Sequence, residues 1–283
     1  MLKDIWAVVK PWFFICISTT FFFITVAKLI SEGDLDTLRS KKKFGEAWFG
    51  NLWRFVGPKA QAEAEGWVIS LLEGRVENGR AAVKTDAVSH ALEGVVLEVG
   101  AGSGMWTKVL ADIALASETG EGRTPIKVYG VEPNPMSAAA LKRRVEQLGL
   151  DGRYEVIPAG IEDLEKESPL KPGSVDCIMT VQCLCSIPEP EKNMRLLYEY
   201  LKKGGRWYVY EHVRADEGVF IPAFQKFTNF FWKRLMGTCQ LCRPTTDTLH
   251  KIGEWESIDL AVRSTESRYA AMPHVVGTLK KAV

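Results

Sequence analysis

The sequence lacks an excess of charge of either sign: 36 lysines and arginines stand against 35 aspartates and glutamates in 283 residues. That balance offers no general electrostatic footprint for a polyanion, so no nucleic-acid partner is expected and the substrate should be small or membrane-borne. The chain also lacks the spacing of a disulfide framework, and its six cysteines fit a reducing compartment. Cys183 and Cys185 form one close pair and Cys239 and Cys242 another; they would make a four-thiolate zinc site if the pairs met, with core thiols as the default. No small-residue cleavage pattern follows the long apolar run, where Ala27 precedes Lys28, which argues against a removed signal peptide. A second full domain is not expected: this length holds one α/β domain of ordinary size plus an appendage.

What is present centres on Val95 to Gly104. Val95 to Val99 is short, apolar and rich in β-branched residues, and it passes into Gly100-Ala101-Gly102-Ser103-Gly104 before Met105 to Ala116 takes up helical spacing. Glycines at alternate positions let the backbone approach a ligand and offer its N–H groups at a helix start. The dinucleotide fingerprint is G-x-G-x-x-G, whereas this chain has G-x-G-x-G with Glu98 inside the strand, which fits a ligand without a diphosphate and disfavours a nicotinamide-dependent oxidoreductase.

An acid, one apolar residue and then G-x-G-x-G resembles the first motif of the class I S-adenosylmethionine (SAM) methyltransferases. The resemblance implies an α/β fold with a doubly wound, Rossmann-like seven-stranded sheet and SAM as cofactor. It implies that Glu98 serves the amino end of the SAM methionine moiety, directly or through water, while Gly100, Gly102 and Gly104 pass beside the cofactor.

Further strands follow at the expected intervals. Ile126 to Asn134 reads as a second strand ending in Glu132, and an acid there can accept from the two ribose hydroxyls. Ser137 to Leu150 reads as a helix and Tyr154 to Pro158 as the third strand. The related enzymes often carry an acid, a small residue and E-D-L after it; here Gly160 stands in the acid's place before Ile161-Glu162-Asp163-Leu164. Adenine contacts then fall to backbone N–H groups around Ile161, to Glu162, or to both. Ser174 to Val181 reads as the fourth strand, and Gln182 leaves its carboxyl end, which in this fold faces the sulfonium. Glu191 to Leu201 reads as a helix stopped by Lys202-Lys203-Gly204-Gly205. Arg206 to Val213 reads as the fifth strand, ending in Glu211-His212. His212 is the candidate general base, with Glu211 a possible partner and a structural histidine the alternative. No metal is required for methyl transfer. Phe220 to Cys242 reads as helices able to cap the acceptor site, Thr246 to Trp255 as a helix, and Glu256 to Ser264 and Ala271 to Lys280 as the last strands.

At the other end, Pro11 to Ala27 carries no charge, and Ile5 to Ile30 reaches the roughly 20 residues a spanning helix needs. A membrane anchor is expected; Pro11, Lys10 and Ser18-Thr19-Thr20 leave open a hairpin or a helix lying on the surface. Arg39 and Lys41 to Lys43 follow, as on the cytoplasmic side of a span, or as a solvated linker. Phe44 to Leu72 suggests one or two amphipathic helices forming a lid, packing on the sheet or touching the bilayer. Arg75 to His90 reads as a connection. The expected organisation is an anchor over 1–30, a basic linker and lid over 31–90, and a catalytic domain over 91–283.

From Val95 to Lys280 the chain resembles the methyltransferase-like 7 family of membrane-bound thiol methyltransferases. The likeness rests on Leu184-Cys185-Ser186, Glu211-His212-Val213, Gly237-Thr238-Cys239-Gln240-Leu241 with Arg243 and Thr245, and Pro273-His274-Val275-Val276-Gly277. It implies S-methylation of a thiol. The anchor and aromatic flanks favour a small, lipophilic acceptor, and the basic cluster together with a cytosolic cofactor favours a cytosol-facing domain, expected at an endoplasmic-reticulum or lipid-droplet surface. O- or N-methylation of a small metabolite, and a SAM-binding membrane protein or cyclase without methyl transfer, are the alternatives. Departures from the methyltransferase pattern are Gly160 and the extended stretch Ser117 to Pro125.

Overall fold

A computed structural model describes residues 1–82, 90–119 and 124–283, so part of the connection over Arg75–His90 and part of the stretch Ser117–Pro125 lie outside the described residues. In chain order the elements are α1 (Leu2–Glu32), α2 (Leu35–Arg39), α3 (Lys41–Leu72), β1 (Val76–Glu77), β2 (Arg80–Ala81), β3 (Val95–Val99), α4 (Thr107–Thr119), β4 (Lys127–Val131) and α5 (Pro135–Gln147). There follow β5 (Tyr154–Ile157), a 3-10 turn (Ile161–Asp163), α6 (Leu164–Glu167), β6 (Val175–Val181), α7 (Pro190–Tyr200), β7 (Leu201–His212), α8 (Phe220–Leu235), α9 (Thr245–Lys251), β8 (Trp255–Val262) and β9 (His274–Lys281).

Two compact units can be told apart. A helical unit comprises Met1–Glu65, His212–Pro244 and Thr265–His274, and a sheet unit comprises Gly66–Glu211, Thr245–Ser264 and Val275–Val283.

The sheet has seven strands in the order β5-β4-β3-β6-β7-β9-β8. The run from β5 to β7 is parallel, and β8 pairs antiparallel with β9. Val96, Leu97, Val128, Ile178 and Trp207 are buried, as central parallel strands require. Strand order reverses between β3 and β6, and the carboxyl ends of strands at such a reversal are where doubly wound sheets bind ligands. The expected seven-stranded α/β architecture is therefore the one observed. Helix α5 starts where its sequence directs: Asn134 caps it by accepting from the N–H groups of Met136 and Ser137, and Pro135 takes the first helical position.

Local details correct the sequence reading. Lys202-Lys203-Gly204-Gly205 does not stop a helix ahead of the fifth strand. Helix α7 ends at Tyr200 and β7 begins at once, its register against β6 jumping from Val175↔Leu201 to Cys177↔Arg206. The lysines and glycines take up that irregularity, and Lys202 pairs with Asp176 across 2.7 Å. Phe44 to Leu72 is a single helix, within the one or two expected, but it begins at Lys41, so Lys41 to Lys43 form its first turn instead of a linker. The connection after Arg75 contains the small antiparallel pair β1–β2.

In the helical unit, α1 runs without a break through Pro11. Proline removes the N–H that would have met the carbonyl of Ala7, and that carbonyl instead accepts from the N–H of Ala271 at 3.1 Å. Gly33, in the left-handed region at φ 71°, closes the helix. By length and composition α1 is sufficient to cross a membrane. One stripe of it packs within the unit: the Trp48 indole donates to Ser18 O (2.8 Å), Asn51 donates to Thr25 Oγ1 (3.0 Å), and Lys10 pairs with Glu63 (2.7 Å).

Candidate active site in the sheet unit

Three turns meet at the carboxyl ends of the central strands, and the glycines of the first have different neighbours. A side chain at Gly100 would place its Cβ 2.6 Å from Cys183 Cβ, so this glycine lets the turn after β3 pack on the loop after β6. At Gly104 a Cβ would meet Thr107 Oγ1 at 2.7 Å. Gly102 faces unfilled space, with the carbonyl of Gly100 at 4.0 Å its nearest neighbour. All three have positive φ, at 68°, 58° and 89°. Of the three, Gly102 alone combines that backbone with open space where a side chain would stand.

Glu132, one residue beyond β4, is buried, and its two oxygens serve different chain segments. Oε2 accepts from the N–H of Gly102 at 2.9 Å and Oε1 from that of Asn134 at 2.8 Å. Burial raises its pKa, and these backbone hydrogen bonds oppose the rise. A carboxylate has about four lone-pair sites, so Glu132 retains capacity to accept from a ligand's hydroxyls.

Glu98 lies deeper, with 2 % of its surface exposed. Tyr154 on β5 donates its hydroxyl to Glu98 Oε2 at 2.5 Å, reaching across β4 at Gly130. Any Cβ at Gly130 would fall 2.1 Å from that hydroxyl oxygen, so the glycine makes the contact possible. Burial pushes the Glu98 carboxyl up to about 7, against the lowering effect of the tyrosine. Neither Tyr154 nor its path was evident among the candidates read from sequence. The available signal was the lone glycine inside an apolar strand, which marks a close approach.

After β5, Ile161 is buried and Glu162 exposed. A Cβ at Gly160 would sit 2.7 Å from the Glu162 carboxylate carbon and from both its oxygens. The Glu162 carboxylate therefore occupies the space that a side chain at Gly160 would enter.

After β6, Gln182 adopts φ 54°, a left-handed conformation that costs a non-glycine residue about 1–3 kcal/mol. Its N–H donates to Tyr210 O at 2.8 Å. The loop is fixed by Glu211, whose Oε1 accepts from the N–H groups of Cys183 (3.0 Å) and Leu184 (3.1 Å). The sequence suggests Glu211 as a partner for His212, whereas its carboxylate holds this loop; an acid within an otherwise apolar strand is the signal for such a contact. Burial and the nearby Glu211 carboxylate push the Cys183 thiol well above its ordinary value, so it stays protonated and is a poor nucleophile.

The cofactor candidates Glu98, Gly100, Gly102, Gly104, Glu132, Ile161, Glu162 and Gln182 all belong to the sheet unit, whereas His212 belongs to the helical unit. There His212 is buried, with Nε2 3.2 Å from Cys239 Sγ and its ring 6.2 Å from that of His274. His274 Nδ1 in turn lies 3.5 Å from Glu266 Oε2.

Comparisons with known proteins agree with this architecture. The chain is 26% identical over 157 residues to the thiol S-methyltransferase TMT1B of Rattus norvegicus, covering 55% of this chain and 62% of that protein. It is 26% identical over 153 residues to the human thiol S-methyltransferase TMT1A, covering 53% and 61%. The match thus spans about three fifths of the length of these curated relatives. Among solved structures, a geranyl diphosphate methyltransferase in complex with SAM superposes with a TM-score of 0.51 at 13% identity, over 86% of this chain and 92% of that one. The YcgJ protein of Bacillus subtilis gives 0.51 at 14% identity, over 78% and 99%. A family described as a methyltransferase domain matches residues 75–256, which hold the glycine turn, Glu132 and the loops after β5 and β6. The chain belongs to this methyltransferase-domain family.

Proposed function

We propose that the chain binds SAM at the carboxyl ends of β3 to β6 and methylates a small lipophilic acceptor, a thiol before a hydroxyl or amine. The observation that carries this reading is the junction of Gly102 and Glu132: a glycine opening onto free space, hydrogen-bonded to a buried carboxylate at the end of the next strand. A Cβ at Gly102 would project into that open space, and the residues around it suit a nucleoside lying beside the turn.

In this reading Glu132 accepts from the ribose hydroxyls, and Glu98, held by Tyr154, serves the amino end of the methionine moiety directly or through water. Gly100 and Gly104 shape the turn. Backbone groups at Ile161 and the Glu162 carboxylate take the adenine edge, and Gln182 borders the reacting end. When bound, SAM supplies an electrophilic methyl group on a sulfonium. The protein's own part is to position the acceptor and exclude water. A thiol with a pKa near 8.5 is partly ionised at neutral pH, so only modest help from a base is needed, and His212 is assigned to remove that proton. The related thiol S-methyltransferases support the choice of acceptor.

We also assign α1 the role of membrane anchor, with residues 91–283 as the catalytic part on the cytosolic side. Titration calorimetry of the full chain with SAM tests the cofactor assignment: saturable binding abolished by Gly102→Val is expected, and no SAM binding by the folded wild type would refute it.

A further inference from the structure

Helix α8 carries its side chains the wrong way round for a helix facing water. Its inward stripe is Ile221, Gln225, Thr228 and Trp232, two of them polar. Gln225 is fully enclosed, donating to Val213 O and Ala271 O (both 3.1 Å) and accepting from Ala215 N–H (3.0 Å). Thr228, equally enclosed, accepts from the indole N–H of Trp12 at 3.0 Å. The outward stripe presents Phe220, Phe227 and Phe230, more than half exposed, among exposed Lys226, Lys233 and Arg234. The Arg234 guanidinium stands 3.9 Å over the Phe230 ring, which keeps a cation at the rim of the aromatic patch.

The patch joins α1 within the same unit. Trp12 packs against Phe227 and Phe231 with ring centroids 6.0 and 5.4 Å apart, and the Ser18 hydroxyl donates to Leu235 O. Helix α1 shows a related arrangement: Ser18 and Thr25 are enclosed beside Pro11, Ile15 and Leu29, while Phe13, Phe23 and Ile24 are exposed. Water as the surrounding medium would favour the opposite arrangement on both helices.

We propose that α8 is a second membrane contact, its outward face lying in the headgroup–acyl boundary of an anionic bilayer beside α1, with Lys226, Lys233 and Arg234 on the lipid headgroups. Aromatic residues interleaved with cations on one face are the composition of a helix lying in the interface plane. At 16 residues with three outward cations, α8 is too short and too charged to span. The inference rests on reading α1 as the anchor.

The test reconstitutes the full chain into vesicles of phosphatidylcholine with a minor share of phosphatidylserine, doped with phosphatidylcholine bearing a photoactivatable acyl chain, and maps lipid adducts by peptide mass spectrometry. Adducts on Phe227 and Phe230 as well as on Phe13 and Phe23 are expected. Adducts confined to α1 would overturn the α8 contact and leave the anchor intact; adducts on neither helix would overturn both. Chain-to-chain adducts across α8 in place of lipid adducts would give the face to a second copy and also overturn the proposal. Replacing the exposed cations (Lys226→Glu, Lys233→Glu, Arg234→Glu) should lower the preference of α8 labelling for phosphatidylserine-containing over pure phosphatidylcholine vesicles about fivefold per cation, or more because the sign is reversed. An unchanged preference in the folded variant would remove the headgroup contacts from the account.

Discussion

The N–H of Gly102 donates to the carboxylate of Glu132 across 2.9 Å, tying the turn after β3 to the end of β4. Glu132→Ala removes both this tie and the one to Asn134, and with them the acceptors assigned to the ribose. Each charge-assisted hydrogen bond to a ligand is worth about 1.5–3 kcal/mol when desolvated, so SAM affinity should fall by at least tenfold. Calorimetry with the folded variant checks this, and an unchanged dissociation constant would remove Glu132 from the site.

Gly100 and Gly102 should respond differently to the same substitution. Gly100→Ala forces a methyl group to within 2.6 Å of Cys183 Cβ at φ 68°, so overpacking of about 1–3 kcal/mol adds to the conformational cost and the melting temperature should drop. Gly102→Ala meets no atom, carries only the conformational cost of about 1–2 kcal/mol, and should lose SAM affinity instead. Thermal melts run beside calorimetry separate the two; equal loss of stability without loss of binding at Gly102 would contradict the cradle.

Glu98 gives the site a pH dependence. Its carboxyl is raised from 4.5 to about 7, so the native state holds a proton that the unfolded chain has already released between these values. The associated stabilisation is fully present below pH 4.5 and is lost as pH rises through 7, a change of roughly 3 kcal/mol at most. Glu98→Gln should abolish that slope in denaturant titrations. Because an ammonium group favours the carboxylate, SAM should bind more weakly as pH falls below 7, approaching tenfold per unit, and the glutamine variant should bind weakly without this dependence. Tyr154→Phe removes a hydrogen bond that lowers the Glu98 pKa and should shift both profiles to higher pH.

The general-base assignment predicts that His212→Asn keeps SAM affinity and lowers turnover. General-base catalysis contributes typically 10²–10⁴-fold, and a thiol acceptor should lose less than a hydroxyl because it ionises unaided. Raising the pH should therefore rescue the variant with a thiol. Turnover equal to wild type from about pH 6 to about pH 9 would return the imidazole to a structural role beside Cys239, 3.2 Å away.

The core of the fold was legible because its signals are local. Val95 to Val99 followed by three glycines announces a strand, a turn and a helix, and the acid at Glu132 follows at the distance a second strand requires. What the sequence concealed depends on partners distant in the chain. Lys202 to Gly205 looks like a helix stop because cations and glycine end many helices, yet these residues absorb a shift of register against β6. The Tyr154–Glu98 contact joins residues 56 apart and exists because Gly130 has no side chain. The aromatic wealth of Phe220 to Leu235 was evident, but which stripe turns inward is decided by Trp12 and the backbone around Val213 and Ala271.

Transfer of a methyl group from SAM to a lipophilic thiol is the proposed activity. Its most direct test incubates the purified full chain with methyl-labelled SAM and a panel of lipophilic thiols, phenols and amines, then identifies the labelled products by mass spectrometry. A labelled S-methyl product is expected, formed catalytically by the wild type, faster than any O- or N-methyl product, and absent with Gly102→Val. Tight SAM binding without label in any acceptor, or label only in phenols or amines, would contradict it.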